Sequence, residues 1–317
     1  MLGKEIREAL HSGGLVYGTH VTHLNNLSAS GILLQAGLDY VFICGEHMPL
    51  DSIEIANLCR FYACNGIAPA VRISEPSMIE AARALDLGAH GIIAPYVETV
   101  EQVRNMVGAV KYRPLKGQLL NEILDGKPLS PEYQEFFPRF NKNNFLIIGI
   151  ESRPAYENLD ALIDVPGVDG VFLGPHDLTV SFGHPEDWEH PDYMNAMEDI
   201  IRRCRAKNLG VGLHMLPTKY TPERARKMID MGMNWVLDGS DVGHAAKVLS
   251  ERRAAMQLPP CKNSAGGTAP ATCAAPAGKI EIKQDDITAD VVKILSARHP
   301  AMKRQFHKNT AAAALEK

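Results

Sequence analysis

The sequence is short of aromatic residues, which make up 6% of its 317 positions and include only two tryptophans. It has no CxxC pair, no excess of one charge sign, and no apolar run near the roughly 18 residues that a bilayer span requires. Each shortage excludes something. The six cysteines, Cys44, Cys59, Cys64, Cys204, Cys261 and Cys273, are scattered, so neither a disulfide framework nor a cysteine-paired zinc site is expected. Cys59 and Cys64 fall in the helical stretch LCRFYACN and read as packing residues. Lys plus Arg number 33 against 37 Asp plus Glu, a formal charge of −4. That balance gives no electrostatic basis for binding nucleic acid or an anionic membrane. The opening MLGKEIREAL alternates charged and apolar residues and lacks the apolar core of a signal peptide. A soluble, cytoplasmic protein is expected.

What is present is a repeating pattern. With 45% hydrophobic and 22% charged residues the chain has ample material for a core. Short apolar runs alternate with amphipathic stretches, as in repeated βα units. Strands are predicted near Leu15–Thr19, Tyr40–Cys44, Ala68–Ile73, Gly91–Ala94, Phe145–Glu151, Gly170–Gly174, Val211–His214 and Trp235–Asp238. Helices are predicted over Asp51–Tyr62, Pro76–Leu87, Thr99–Val110, Pro191–Lys207 and Thr221–Met231. Eight strands with intervening helices fit an α/β fold of the (β/α)₈ TIM-barrel type over residues 1–253, a size usual for one such barrel. The interval Tyr112–Asn144, rich in Pro, Gly and aromatics, reads as a long loop at the active end of the barrel, either a lid or binding loop or a surface excursion with no role. A C-terminal extension follows. Residues 254–279 read as a flexible Pro/Ala/Gly/Thr-rich linker, and 280–306 as a helical segment carrying Ile287, Val291, Ile294 and Leu295. Residues 307–317, ending AAAALEK, read as vector-derived tail.

In a parallel barrel the functional groups belong at the carboxyl ends of the strands. Strand two ends in ICGEH, supplying Glu46 and His47, and strand three carries Arg72 in AVRI. Glu151 tips the fifth strand, and Asp177 follows the sixth in LGPHD. Two close carboxylates repel unless a proton or cation stands between them, and a hard divalent ion such as Mg²⁺ or Mn²⁺ resolves this. The alternative is two unconnected surface acids. A guanidinium in a strand needs oxygen partners, which Glu46 supplies structurally or a substrate functionally. His47 is the natural proton carrier, or else a structural histidine. Asp86, in ARALDLGAH, reads by position as a solvated helix residue.

The segments CGEHMPLD, APAVRISEP, ALDLGAHGIIAPYVET and GIESRPAYENLDALIDVPGVDGVFLGPHDLTVSFG resemble the HpcH/HpaI aldolase family, metal-dependent class II pyruvate aldolases, from about Gly18 to Val248. The resemblance implies Glu151 and Asp177 as metal ligands and Arg72 as the group polarising the pyruvyl carbonyl. It implies His47 as the base, Asp86 as the acid paired with it, and the turn Gly174-Pro175-His176 as the receiver of the substrate carboxylate. It further implies a divalent metal (Mg²⁺, Mn²⁺ or Co²⁺), pyruvate and an aldehyde as the reaction partners, and a homo-oligomer compatible with a hexamer. Cleavage of a 4-hydroxy-2-oxo acid through a pyruvate enolate is the expected reaction.

Three positions depart from the family pattern. Cys44 stands where relatives commonly carry Asp, Gly149 where many carry Gln, and the usual Arg-Gly is absent from PLKGQLLNEIL. Two other functions remain open on these grounds. One is cleavage of a 3-hydroxyacyl thioester, as in the citrate lyase β-subunit group, which needs a CoA groove. The other is a non-catalytic protein that binds a 2-oxo acid.

Overall fold

In a computed structural model of the chain, residues 1–257 are described, apart from residue 218 and the side chains of 27–29. The expected linker, helical segment and tail lie outside them, except that the last helix runs on to Ala255. The strands are β1 (Val16–Val21), β2 (Tyr40–Cys44), β3 (Ala68–Arg72), β4 (Gly91–Ala94), β5 (Phe145–Ile150), β6 (Gly170–Leu173), β7 (Gly210–Met215) and β8 (Trp235–Ser240). They pair in parallel in chain order, and β8 closes on β1 through Val16 with Trp235 and Gly18 with Leu237. The result is the expected (β/α)₈ barrel.

The helices of the first half are α1 (Gly3–Ser12), α2 (Leu27–Leu33), α3 (Ser52–Cys64), α4 (Met78–Asp86) and α5 (Val100–Lys111). Then come α6 (Gly117–Leu124), α7 (Pro131–Phe140), α8 (Arg153–Glu157) and α9 (Leu159–Ile163). The chain continues with α10 (Pro175–Ser181), α11 (Pro191–Ala206), α12 (Pro222–Asp230) and α13 (Asp241–Ala255). Caps mark several starts: Asp51 accepts from the Ile53 and Glu54 amides, and Thr99 from that of Gln102. No helix among the described residues is long and apolar enough to cross a membrane.

Alternation along the strands divides the core. Tyr40, Phe42 and Cys44 pack inside the barrel with Ala68, Ala70, Phe145, Ile147, Phe172 and Trp235, whereas Val41 and Ile43 join the layer shared with the helices. Because both strand faces are covered, the strands read as continuous apolar runs. At the amino end α1 lies across the barrel floor, with Ile6 and Leu10 in the inner cluster.

Two expectations change. The interval Tyr112–Asn144 is not a lid: it contains α6 and α7 and follows a helix that has already returned to the amino end of the strands. Its end is tied there by the Asn144 carbonyl, which accepts from Arg7 and Lys111. Cys64 is exposed, while Cys59 is buried; the four described cysteines are free.

Beneath α1, the buried Asp169 accepts from the Leu146 amide at 2.8 Å, from Lys111 Nζ and from His11 Nε2 at 3.0 Å. Burial works to raise this carboxyl; Lys111 and His11 outweigh it and hold it below the usual aspartate range. Asp169→Ala leaves a nearly buried ammonium without its partner, and should cost about 3–5 kcal/mol in denaturant unfolding at pH 7. A depressed folded-state pKa stabilises above the ordinary value of 3.8 and is lost as pH falls through the folded one, so this penalty should shrink in acid. A wild-type midpoint for the variant at pH 7 would show the pair to be energetically neutral.

Candidate active site

The period of two that builds the core also builds the site. Ile147, Gly149 and Glu151 share the inner face of β5 and its tip, as Ala68, Ala70 and Arg72 do on β3 and Phe172 and Gly174 on β6. Continued to the carboxyl ends, the inner faces place charged residues where the apolar core stops. A cavity of about 350 Å³ opens there, lined by Phe42, His47, Arg72, Gly174 and Asp177 among others.

Glu151 lies just behind that lining and is 2% exposed. A Cβ on Gly174 would come within 2.8 Å of Glu151 Cγ, so only glycine allows β6 to pass this close. The Tyr96 amide donates to Glu151 Oε2 at 3.2 Å, and Tyr96 holds a left-handed φ of 49°. Glu151 Oε1 is buried with no hydrogen-bond partner. Burial pushes this carboxyl up to about 7; Asp177 and Glu46 add to the rise, and Arg72 opposes it. Asp177 sits in the first turn of α10, half-buried.

Arg72 ends β3 with its side chain 12% exposed. Its Nη2 donates to Cys44 Sγ at 3.3 Å, and its guanidinium carbon stands 5.5 Å from the centre of the Phe42 ring. Its Nε is 3.1 Å from Glu46 Oε2, an ion-pair contact too bent for a hydrogen bond, so both buried atoms keep unused hydrogen-bonding capacity. Cys44 also accepts the His47 amide at 3.3 Å. The departure at position 44 therefore keeps an acceptor, although sulfur is a weak one. The departure at Gly149 leaves room: a Cβ there would meet Glu151 Oε1 at 3.1 Å.

His47 is exposed at the mouth, with Glu46 3.8 Å away. Asp86 is not its partner within one chain. It is the last residue of α4, where the chain has returned toward the amino end, and pairs with Arg113. His176 turns its ring to Glu186, and Pro175 brings no N–H.

His20, His214, Glu186 and Trp188 also line the cavity, although none of them stands among the charged groups expected at the strand ends. Ending the first strand at Thr19 instead of Val21 hides His20, although both histidines are legible as polar breaks in apolar strands. Elsewhere, His184, His190 and Asp192 have donor atoms within 4.8 Å of one another, a group that contains neither Glu151 nor Asp177.

The model of the HpcH/HpaI aldolase/citrate lyase family matches residues 22–247. The chain belongs to this family. It is similar to the 2-keto-3-deoxy-L-rhamnonate aldolases of Klebsiella pneumoniae, at 31% identity, and Salmonella gallinarum, at 30%. Each match spans 254 residues, 80% of this chain and 93% of the relative. Among solved structures, an HpcH/HpaI aldolase from Desulfitobacterium hafniense is 26% identical with a TM-score of 0.68, over 80% of this chain and 97% of that one. As an HpcH/HpaI member the protein is a carbon–carbon lyase of the aldolase type, and a divalent metal is expected with that chemistry. The residues fit such an ion: a buried carboxylate oxygen without a partner, within the electrostatic reach of a second carboxylate, suits a hard cation.

Proposed function

We propose that the protein is a class II aldolase that cleaves and forms a 4-hydroxy-2-oxo acid, giving pyruvate and an aldehyde. The observation that carries this reading is the unpartnered Oε1 of Glu151, buried beside Asp177 and within the electrostatic reach of Arg72. Glu151 and Asp177 would hold Mg²⁺, Mn²⁺ or Co²⁺, which supplies Lewis-acid polarisation of the pyruvyl carbonyl when bound. Arg72 binds the 2-oxo oxygen through its free N–H capacity and stabilises the negative charge that develops there. His47 takes the proton of the 4-hydroxyl; the C3–C4 electron pair moves into the enolate as the aldehyde leaves, and the protonated His47 then returns a proton to C3 to give the pyruvate methyl, a step whose reverse exchanges the methyl protons. The first-turn amides of His176 and Asp177 have no carbonyl within their own helix and receive the substrate carboxylate.

Asp86 serves His47 in this reading only when a neighbouring copy supplies it. A homo-oligomer is part of the proposal, supported by the exposed apolar Ile53 and Ile79 on α3 and α4. Exchange of the pyruvate methyl protons with deuterated water tests the core of the reading without any aldehyde. It should require added metal, vanish on EDTA treatment and fall below detection in Asp177→Ala. His47→Ala should retain pyruvate binding while losing about 10²–10⁴ in exchange rate. Metal-independent exchange, or undiminished exchange in Asp177→Ala, would rule the proposal out.

A further inference from the structure

The aldolase mechanism leaves one wall of the cavity unused. His20 and His214 project from β1 and β7, on either side of β8, whereas Arg72, Glu151 and Asp177 come from β3, β5 and the end of β6. Both histidines share the inner face of their strands, His20 with Val16 and His214 with Gly212. The two rings stand 5.8 Å apart at 75°, and His20 also packs edge-on to Phe42 at 5.0 Å.

Their hydrogen bonds are incomplete in a telling way. His214 Nε2 is 2.8 Å from the Gly239 carbonyl, which fixes its proton on that nitrogen and leaves Nδ1 as an acceptor. His20 Nε2 is buried with no partner. Trp188 Nε1, a donor on another residue lining the same cavity, is also buried without a partner. Burial keeps both imidazoles neutral, and the nearby Arg72 charge adds to the effect.

A neutral imidazole pairs one donor with one acceptor. That suits a hydroxyl group, which also does both. It suits a carboxylate or phosphate poorly, since these call for fixed cations or multiple donors. An alkyl chain would leave the buried nitrogens unsatisfied. We infer that His20 and His214 form a hydroxyl-recognising subsite for the aldehyde half of the substrate, so that the preferred aldehyde carries a hydroxyl group. This inference rests on the aldolase reading and names its substrate class.

The test compares glycolaldehyde with acetaldehyde, which differ by one hydroxyl, as acceptors for pyruvate. Wild type should favour glycolaldehyde in kcat/KM by about tenfold or more, because a site built to bond a hydroxyl rejects the analogue lacking it. His20→Phe and His214→Phe should each reduce that ratio by about tenfold, and His20→Gln should restore part of it. Pyruvate exchange on the same samples normalises for folding and metal loading. A ratio unchanged in both Phe variants overturns the inference. So does a parallel loss of exchange and both aldehyde reactions, which would place the histidines in the enolate machinery. Absence of exchange in wild type removes the aldolase reading, and the subsite with it. Should the Phe variants not fold, the wild-type holoenzyme decides: the imidazole nitrogen resonances of His20 and His214 should move with glycolaldehyde and not with acetaldehyde, and unmoved resonances overturn the subsite.

Discussion

Glu151→Gln should abolish metal-dependent pyruvate exchange and, at pH 8, make the metal-free protein more stable than wild type. The two effects share one cause. Burial raises the Glu151 carboxyl from 4.5 to about 7, so at pH 8 the metal-free fold holds an ionised group that its surroundings oppose. A raised folded-state pKa gives stability that is complete below the unfolded value and is lost as pH rises through the folded one. Wild type should therefore weaken between about pH 5 and pH 8, by roughly 3 kcal/mol at most for a shift of this size. The neutral amide escapes that loss, and its oxygen still accepts the Tyr96 amide. Urea unfolding of EDTA-treated samples at pH 5.5 and pH 8 measures the difference. If the variant is less stable than wild type at pH 8, burial does not dominate at Glu151. Metal affinity follows the same logic. A cation must displace the proton below pH 7, so wild-type affinity should fall there with measurable proton release.

Arg72→Met should lower pyruvate exchange by about 10²–10³, the loss typical of removing one donor from a developing oxyanion. Arg72→Lys should recover little, because a point charge cannot donate to Cys44 Sγ while also meeting Glu46 and a substrate oxygen. The Met variant also leaves Glu46 without its cation. Glu46 retains 25% exposure, so water compensates in part, and the stability loss should stay below the ~3–5 kcal/mol of a fully buried pair. Exchange kinetics and denaturation midpoints separate the two effects. Wild-type exchange in Arg72→Met would assign carbonyl polarisation elsewhere.

Much of this is legible in the sequence because it is local or follows from barrel symmetry. Runs such as YVFIC and FLIIGI announce strands buried on both faces, and all eight strands lie within about two residues of where the pattern puts them. A parallel barrel gathers every carboxyl end at one mouth, so Arg72, Glu151, Asp177 and His47 come from reading strand ends alone. Tyr112–Asn144 has the composition of a lid, but its position after α5 and before β5 puts it at the floor.

Only closure of the barrel decides the rest. It sets Cys44 against Arg72, Gly174 against Glu151, and His20 against His214. It also sends Asp86 to Arg113 instead of His47. Periodicity specifies which face of an element a side chain occupies. Which distant side chain it meets, and whether a buried oxygen or nitrogen finds a partner, depends on the register and spacing of elements that come together only in the folded chain.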